Sequence, residues 1–473
     1  MELALKHPQN EMGETLGEAI AFLEKHYPDE VVRVQREVNP IFEVTAILAK
    51  LEKMQQFPCV IFENVKGSKI PLVTNMHASF PRLAMAIGLP YHATPADFIH
   101  EYGRREANPI PTMTVDSGPC QEVVLTGNEV DVTQLPILQY HELDAGQYIT
   151  LAYNVMKDPD TGIRNAGIYR LQLKGKNKFG IQISETAHGH YILKKNKMRG
   201  QATQMAAVIG GHPAMNIGNL SFTSIDTDEF TIAGAMLGKP VNMVKCKTID
   251  VEVPASAEIV LECEIHPTEM ESEAPFGEYP GTYGPERINP VVYVKAMTMR
   301  RNALYQSSFV GHADNLFLSG VTRNSYIYHT CRIASAAVKA VYVPPCGRSR
   351  YFCFIQMSGI VEGDPKNVAM AAFTADPFLK FVVVVDEDVD ISNDSDVLHA
   401  IATRVRADRD VFMVTYSRGS PLDPASYDPV NGSHLVTKVG IDATRKPNYP
   451  TEISVPGTDN IKLSDYFGDR FKL

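Results

Sequence analysis

The sequence predicts a mixed α/β chain in three parts, with α/β regions at each end of a strand-rich middle. Apolar residues recur at helical spacing between short β-branched runs in the first hundred positions, and turn-separated strands dominate from about 120 to 300. From about 378, helix alternates with strand again. At 473 residues the chain has room for two or three cores. The expected division is 1–115, 116–305 and 306–446, with a C-terminal extension over 447–473.

In the first part, Thr15-Leu-Gly-Glu18 reads as a capping box, and Leu16, Ile20 and Leu23 fall on one helical face. Val44, Ile47, Leu48 and Leu51 repeat at three and four, which predicts a helix over 42–54. Runs at 31–34, 59–65 and 70–75 read as strands, the last two joined as a hairpin by Lys66-Gly67-Ser68. Ser79 is the expected cap of a helix through Ile87, with Pro81 tolerated in its first turn. The polar, proline-bearing stretch 107–119 marks the boundary.

The middle part offers strands at 149–155, 163–173 and 178–184, the first two separated by Asp158-Pro-Asp-Thr-Gly162. Further runs at 241–246, 251–253, 257–265 and 291–299 complete a barrel or sandwich, interrupted by helices over 190–199 and 228–237. In the last part, 378–386 carries four consecutive valines, 395–405 is helical and 411–416 is extended. That predicts a βαβ unit with a parallel strand pair. The acids of Asp386-Glu-Asp-Val-Asp390 suit a helix N-terminus better than a calcium loop, and the stretch from about 415 onward reads as loop.

Composition excludes several functions. A net charge of −10 and a pI near 5.8, without basic runs, argue against nucleic-acid or anionic-membrane partners. Seven scattered cysteines form no Cys-x-x-Cys pair, so neither a disulfide framework nor a zinc knuckle is indicated. With no basic-then-apolar start and no membrane-length apolar run, a cytoplasmic protein is expected. No glycine-rich strand-to-helix fingerprint of dinucleotide or P-loop type occurs.

The chemistry gathers around Glu273-Ala-Pro-Phe-Gly-Glu278, where Pro275 and Gly277 are expected to force a stiff turn holding two carboxylates close. Mutual repulsion would push their proton affinities apart, as acid–base work near neutral pH requires. A solvated surface turn has the same composition. On the strand at 163–173, Asn165 and Arg170 stand five apart and face opposite sides unless Gly167 introduces a bulge. His188 follows a strand and Glu229 opens a helix; with Asn165 they would make a mostly hard site for Mn²⁺ or Mg²⁺, although each alone could be a cap or surface group.

These residues carry a resemblance. Asn165-x-Gly-Ile-Tyr-Arg170, Glu273-x-Pro-Phe-Gly-Glu278, Val251-x-Val-Pro-Ala-Ser-Ala-Glu258-Ile-Val-Leu-Glu262, Val383-Val-Val-Asp-Glu-Asp-Val-Asp390, Ile401-Ala-Thr-Arg404 and Lys438-x-Gly-x-Asp-Ala-Thr444 together resemble the UbiD family of decarboxylases. The likeness implies a split β-barrel middle domain holding prenylated FMN between two α/β domains. It implies Asn165, His188 and Glu229 as ligands of a divalent metal, Mn²⁺ or Mg²⁺, that clamps the flavin phosphate with K⁺ nearby. His190 is the alternative to His188, which fits the family spacing better. Ile168 and Tyr169 would touch the cofactor, and Lys438 its phosphate, with Thr437 where many relatives have serine.

Arg170, Glu273 and Glu278 match the family's catalytic set. Glu278 is then the proton donor, while Arg170 and Glu273 position the substrate carboxylate. The implied reaction is reversible, non-oxidative decarboxylation of an aromatic, heteroaromatic or α,β-unsaturated acid, releasing CO₂. Phe309 and His312 are the candidate substrate contacts. A flavin prenyltransferase would supply the cofactor, and a homodimer, sometimes a higher oligomer, is the family habit, with 447–473 at the interface. Two other readings stand beside this one: a split-barrel FMN oxidoreductase, and a non-catalytic subunit of a carboxylase assembly.

Overall fold

The computed structural model describes residues 11–427, 432–451, 453 and 455–467. Part of the expected extension over 447–473 therefore lies outside the described residues. The capping box forms as predicted: Thr15 Oγ1 accepts from Glu18 N at 3.1 Å and the Glu18 carboxylate accepts from Thr15 N at 3.1 Å. The helix it opens, Leu16–His26, buries Leu16, Ala19, Ile20 and Leu23. A second helix, Glu43–Lys53, buries Val44 and Leu48. Ser79 occupies the cap position of Phe80–Ala86, but its hydroxyl makes no cap bond.

The N-terminal sheet runs Val31–Val34, Cys59–Phe62, Leu72–Thr74 and Tyr305–Gln306. Its second and third strands are antiparallel as expected, and its fourth arrives from the far side of the middle domain. Residues 307–312 thus leave directly from that sheet.

The middle sheet has nine strands, eight of them in the order Tyr148–Ile149, Leu171–Gly175, Lys178–Ile181, Arg287–Met299, Ile259–Glu273, Thr203–Ile209, Tyr153–Lys157, Arg164–Ile168. Leu171–Gly175 and Arg164–Ile168 are six places apart, about 29 Å in a flat sheet at about 4.8 Å per strand. Yet only Tyr169 and Arg170 join them, and three Cα steps span at most about 11 Å. The sheet must curl until its ends nearly meet. That is the split barrel, and Arg170 sits at the split.

This topology corrects two expectations. The run 163–173 is two strands, Arg164–Ile168 and Leu171–Gly175, rather than one. No bulge occurs at Gly167, since the register against Tyr153–Lys157 is unbroken. Arg170 is freed from strict alternation because the chain has already left the sheet. The stretch 149–155 likewise divides, into Tyr148–Ile149 and Tyr153–Lys157.

The C-terminal sheet runs Val338–Tyr342, Phe352–Met357, Phe381–Asp386, Leu435–Asp442, Val411–Arg418. The predicted parallel pair is wrong in partner. Phe381–Asp386 pairs in parallel with Leu435–Asp442, which had read as loop, and Val411–Arg418 lies antiparallel on the outer edge. Gly440 permits this insertion, because a β-carbon there would run into the Phe412 ring. Of the acids after the valine run, Asp386 and Asp388 face arginines: Asp388 Oδ2 lies 2.7 Å from the guanidinium of Arg404 and from that of Arg445. Among the described residues, no helix is long and apolar enough to cross a membrane, and all seven cysteines are free.

Candidate active site

Glu273 is the last residue of the fifteen-residue strand Ile259–Glu273, and its side chain is fully buried. Ala274 then takes a φ of 81°, and the Ala274–Pro275 bond is cis. Phe276–Gly277 pairs back on Tyr283–Gly284, so the loop is a small hairpin. At its tip Gly281 N donates to Glu278 O at 3.0 Å, with Gly281 at φ 88°. Gly277 is required for a different reason from the one expected: a β-carbon there would collide with the His141 ring. Its N–H is anchored on Asp144 Oδ1 at 2.8 Å.

Arg170 joins the two acids. Its Nε and Nη2 reach Glu273 Oε1 and Oε2 at 2.8 and 2.9 Å, a two-point fork, while Nη1 donates to Glu278 Oε1. Asn289 Nδ2 adds a bond to Glu273 Oε2 at 3.0 Å and is itself oriented by Gln182. The carboxylates therefore do not meet bare, as the spacing alone had suggested; a guanidinium lies between them. Burial works against the Arg170 charge, but the hydrogen bonds and charges of Glu273 and Glu278 hold its pKa above the ordinary arginine value.

An aromatic wall continues from this knot. The Arg170 guanidinium lies 4.7 Å from the Phe276 ring centroid, Tyr140 stands 6.4 Å from Phe276, and Phe309 stacks 5.9 Å from Tyr140. His312 stacks on Phe309 at 3.6 Å, and its Nδ1 is 2.7 Å from Glu52 of the N-terminal helix. Phe309 and His312 thus reach the Glu loop through Tyr140 and His141. Sequence reasoning missed Tyr140, His141, Asn289 and Glu52, which carry no motif and meet only through the tertiary fold.

Five residues before Arg170, a second cluster forms on the strand Arg164–Ile168. Asn165 Nδ2 donates to Glu229 Oε1 at 2.6 Å, Ala166 N donates to Glu229 Oε2 at 2.9 Å, and His188 Nδ1 lies 3.8 Å from Glu229 Oε1. Asp228 caps the helix Glu229–Leu237 and accepts from Arg164 Nε at 3.0 Å, which pins that helix start to the strand. His188 is the histidine brought to this cluster, whereas the ring contact of His190 is with Tyr191. Asn165 Oδ1 is buried without a hydrogen-bond partner. Among the described residues no three His, Cys, Asp or Glu gather around a metal position. An amide oxygen, an imidazole and a carboxylate fit a hard divalent cation that takes its other ligands from phosphate or water.

Tyr169 lies across Gly167 and Gly189, where a β-carbon would strike its ring, and Gly189 N donates to its hydroxyl at 3.3 Å. Ile168, half-buried, packs against the apolar cores on either side of the strand. Lys438 does not join either cluster. Its ammonium donates to Pro377 O and Leu379 O at 2.8 and 3.0 Å and lies 5.3 Å from the Phe373 ring, all within the C-terminal domain.

With this geometry in view, the similarities fall into place. A family model described as the 3-octaprenyl-4-hydroxybenzoate carboxy-lyase Rift-related domain matches residues 112–313. Models of the N-terminal and C-terminal domains of the same carboxy-lyase match 20–102 and 316–443. The anhydromevalonate phosphate decarboxylase of Methanothermobacter thermautotrophicus is 33% identical over 426 residues, covering 89% of this chain and 96% of that one. HmfF from Pelotomaculum thermopropionicum, a UbiD-class enzyme solved with FMN, is 38% identical with a TM-score of 0.90, covering 96% of this chain and 100% of that one. Its evolved dimeric form, solved with prFMN, gives 36% and 0.86 over the same shares. The closed form of the Sedimentibacter hydroxybenzoicus vanillic acid decarboxylase is 29% identical with a TM-score of 0.81, over 95% and 97% of the two chains.

Proposed function

The chain belongs to the UbiD family of carboxy-lyases, and from that premise we propose that it decarboxylates an aromatic, heteroaromatic or α,β-unsaturated acid, reversibly and without net oxidation, using prenylated FMN. The observation that carries this is Arg170 forked on Glu273 with Glu278 on its remaining nitrogen, at the split of the barrel. When bound, the modified flavin supplies an electron-poor centre that accepts the electron density left as CO₂ departs. Asn165, His188 and Glu229 would hold a Mn²⁺ or Mg²⁺ that offsets the charge of its phosphate, with K⁺ as a second cation, and Ile168 and Tyr169 would bind the cofactor.

The chain's own residues do the rest. Arg170, kept cationic by two acids, orients the substrate carboxylate while Glu273, already bonded by Arg170 and Asn289, fixes the guanidinium plane. Arg170 bonds Glu278 through Oε1, which leaves Oε2 to carry a proton. That proton goes to the carbon from which CO₂ has left, and the carboxylate recovers it from solvent; the reverse sequence is carboxylation. The wall of Phe276, Tyr140 and Phe309 excludes water and suits a flat, conjugated substrate, with His312 at its far end.

A specific observation favours an aliphatic variant of the same reaction, since the curated relative acts on anhydromevalonate phosphate, by its name an acid bearing a phosphate. Co-expression with a flavin prenyltransferase, followed by a screen of aromatic and unsaturated acids for CO₂ release and deuterium exchange, separates the two. In the reconstituted enzyme, Glu278→Gln lowers turnover by about 10²–10⁴ with flavin still bound. Turnover at the wild-type level in that variant removes Glu278 from the chemistry. We propose a homodimer as the working assembly; analytical ultracentrifugation checks it.

A further inference from the structure

Gly347-Arg-Ser-Arg350, in the C-terminal domain, holds two consecutive non-glycine residues in the left-handed region, Arg348 at φ 57° and Ser349 at φ 52°. L side chains rarely accept that conformation, and where they do it is held by surroundings that use it. Here it sends two arginines to the two sides of the Glu278 turn. Arg348 Nη1 donates to Gly311 O at 2.9 Å, and its Nη2 lies beside Gly281. Arg350 sets its guanidinium 5.1 Å from the ring centroid of Tyr279, the residue next to Glu278.

Arg348 is thereby accounted for as a strap on the turn. Arg350 is not. Among the described residues its side chain makes one hydrogen bond, to the carbonyl of its neighbour Ser349 at 2.9 Å, and no carboxylate lies within ion-pair distance of it. The charges around it are already committed: Arg323 is paired with Asp376, and Lys380 with Asp423 at 2.9 Å. Neither carboxylate is left over for Arg350. Burial and the nearby Arg323 charge push the Arg350 pKa down to about 9, so the site taxes its own cation. An unpaired, partly desolvated guanidinium is costly, and an anion is what relieves the cost.

We propose that Arg350, backed by Arg323, is an oxyanion-binding site beside the Glu278 turn, taking a phosphate or carboxylate group. A planar guanidinium can grip either at two points. Two sources supply that chemistry: the phosphate of the flavin, or a second anionic group at the distal end of the substrate. Only this choice of source rests on the flavin-dependent reading above; the cationic site itself does not.

The test uses the full-length chain and its Arg350→Gln and Arg350→Lys variants, with FMN, riboflavin and inorganic phosphate as probes. Flavin affinities come from fluorescence quenching and phosphate affinity from calorimetry, on flavin-free and FMN-loaded protein. Loss of one charged contact is expected to weaken binding about ten-fold or more. If the flavin phosphate is the guest, Arg350→Gln weakens FMN but not riboflavin, and phosphate binds only the flavin-free protein. If the guest is a substrate group, phosphate binds the FMN-loaded protein, Arg350→Gln abolishes that, and FMN affinity is unchanged. Should Arg350→Gln fail to fold, Arg350→Lys must show the same selective loss to a smaller degree. A folded variant that binds FMN and phosphate as wild type does overturns the proposal. Failure of wild type to bind any flavin overturns the flavin reading instead, and leaves the phosphate comparison to decide the site.

Discussion

Two clusters at opposite ends of one short stretch, Asn165 to Arg170, are satisfied in opposite ways. At Arg170 the guanidinium is forked on Glu273 and bonded to Glu278, and Asn289 adds a second bond to Glu273 Oε2. At Asn165 the amide nitrogen is used by Glu229, but its oxygen is buried with no partner. The first cluster is complete within the protein and so is preorganised before anything binds. The second has coordination left over, which is the condition of a site built for a ligand.

The contrast can be broken by removing each keystone. Arg170→Met strips the cation from Glu273, whose side chain is fully buried, and from Glu278. Breaking a buried ion pair from one side costs about 3–5 kcal/mol, so chemical denaturation should show a loss of that order even without cofactor. A loss under 1 kcal/mol contradicts the claim of a self-sufficient knot. Asn165→Ala should behave the other way. It forfeits one hydrogen bond, about 1 kcal/mol, yet the Mn²⁺-dependent affinity for FMN should fall about 10–100-fold, read by flavin fluorescence with and without chelator. His188→Ala should follow Asn165→Ala, and His190→Ala should stay within about two-fold of wild type, because only His188 approaches Glu229.

How far these sites could be read in advance follows from the range of the interactions that make them. The capping box at Thr15 and the helix start at Asp228 are written within four residues, and both form. The motif residues Arg170, Glu273 and Glu278 were visible as types, and the structure brings them into contact across the barrel. What could not be read were the partners chosen by topology. Leu435–Asp442 entered the sheet between two strands that local pattern had paired, since its polar residues hid a strand whose buried members are Val436, Lys438 and Gly440. Glu52 and His141 reach the aromatic wall of Phe309 and His312 from elements with no local signal of chemistry.

Lys438 gives the finest test of the same contrast, because the resemblance placed it at the ligand-hungry end and the structure places it among carbonyls. Burial lowers its pKa to about 8, against an ordinary value of 10.5. Between those values the unfolded chain holds more protons than the folded one, so stability rises with pH across that window; below about pH 8 both states are protonated and the dependence vanishes. From pH 8 to 9 the gain is about 1 kcal/mol, and Lys438→Met should lack it, as urea melts of the two proteins at each pH would show. Repeating the melts with FMN bound gives the decision. If Lys438 remains on Pro377 and Leu379, the difference between the proteins persists at full size. If instead the ammonium turns to a phosphate, the added negative charge raises its pKa towards 10.5, and the pH 8 to 9 difference collapses.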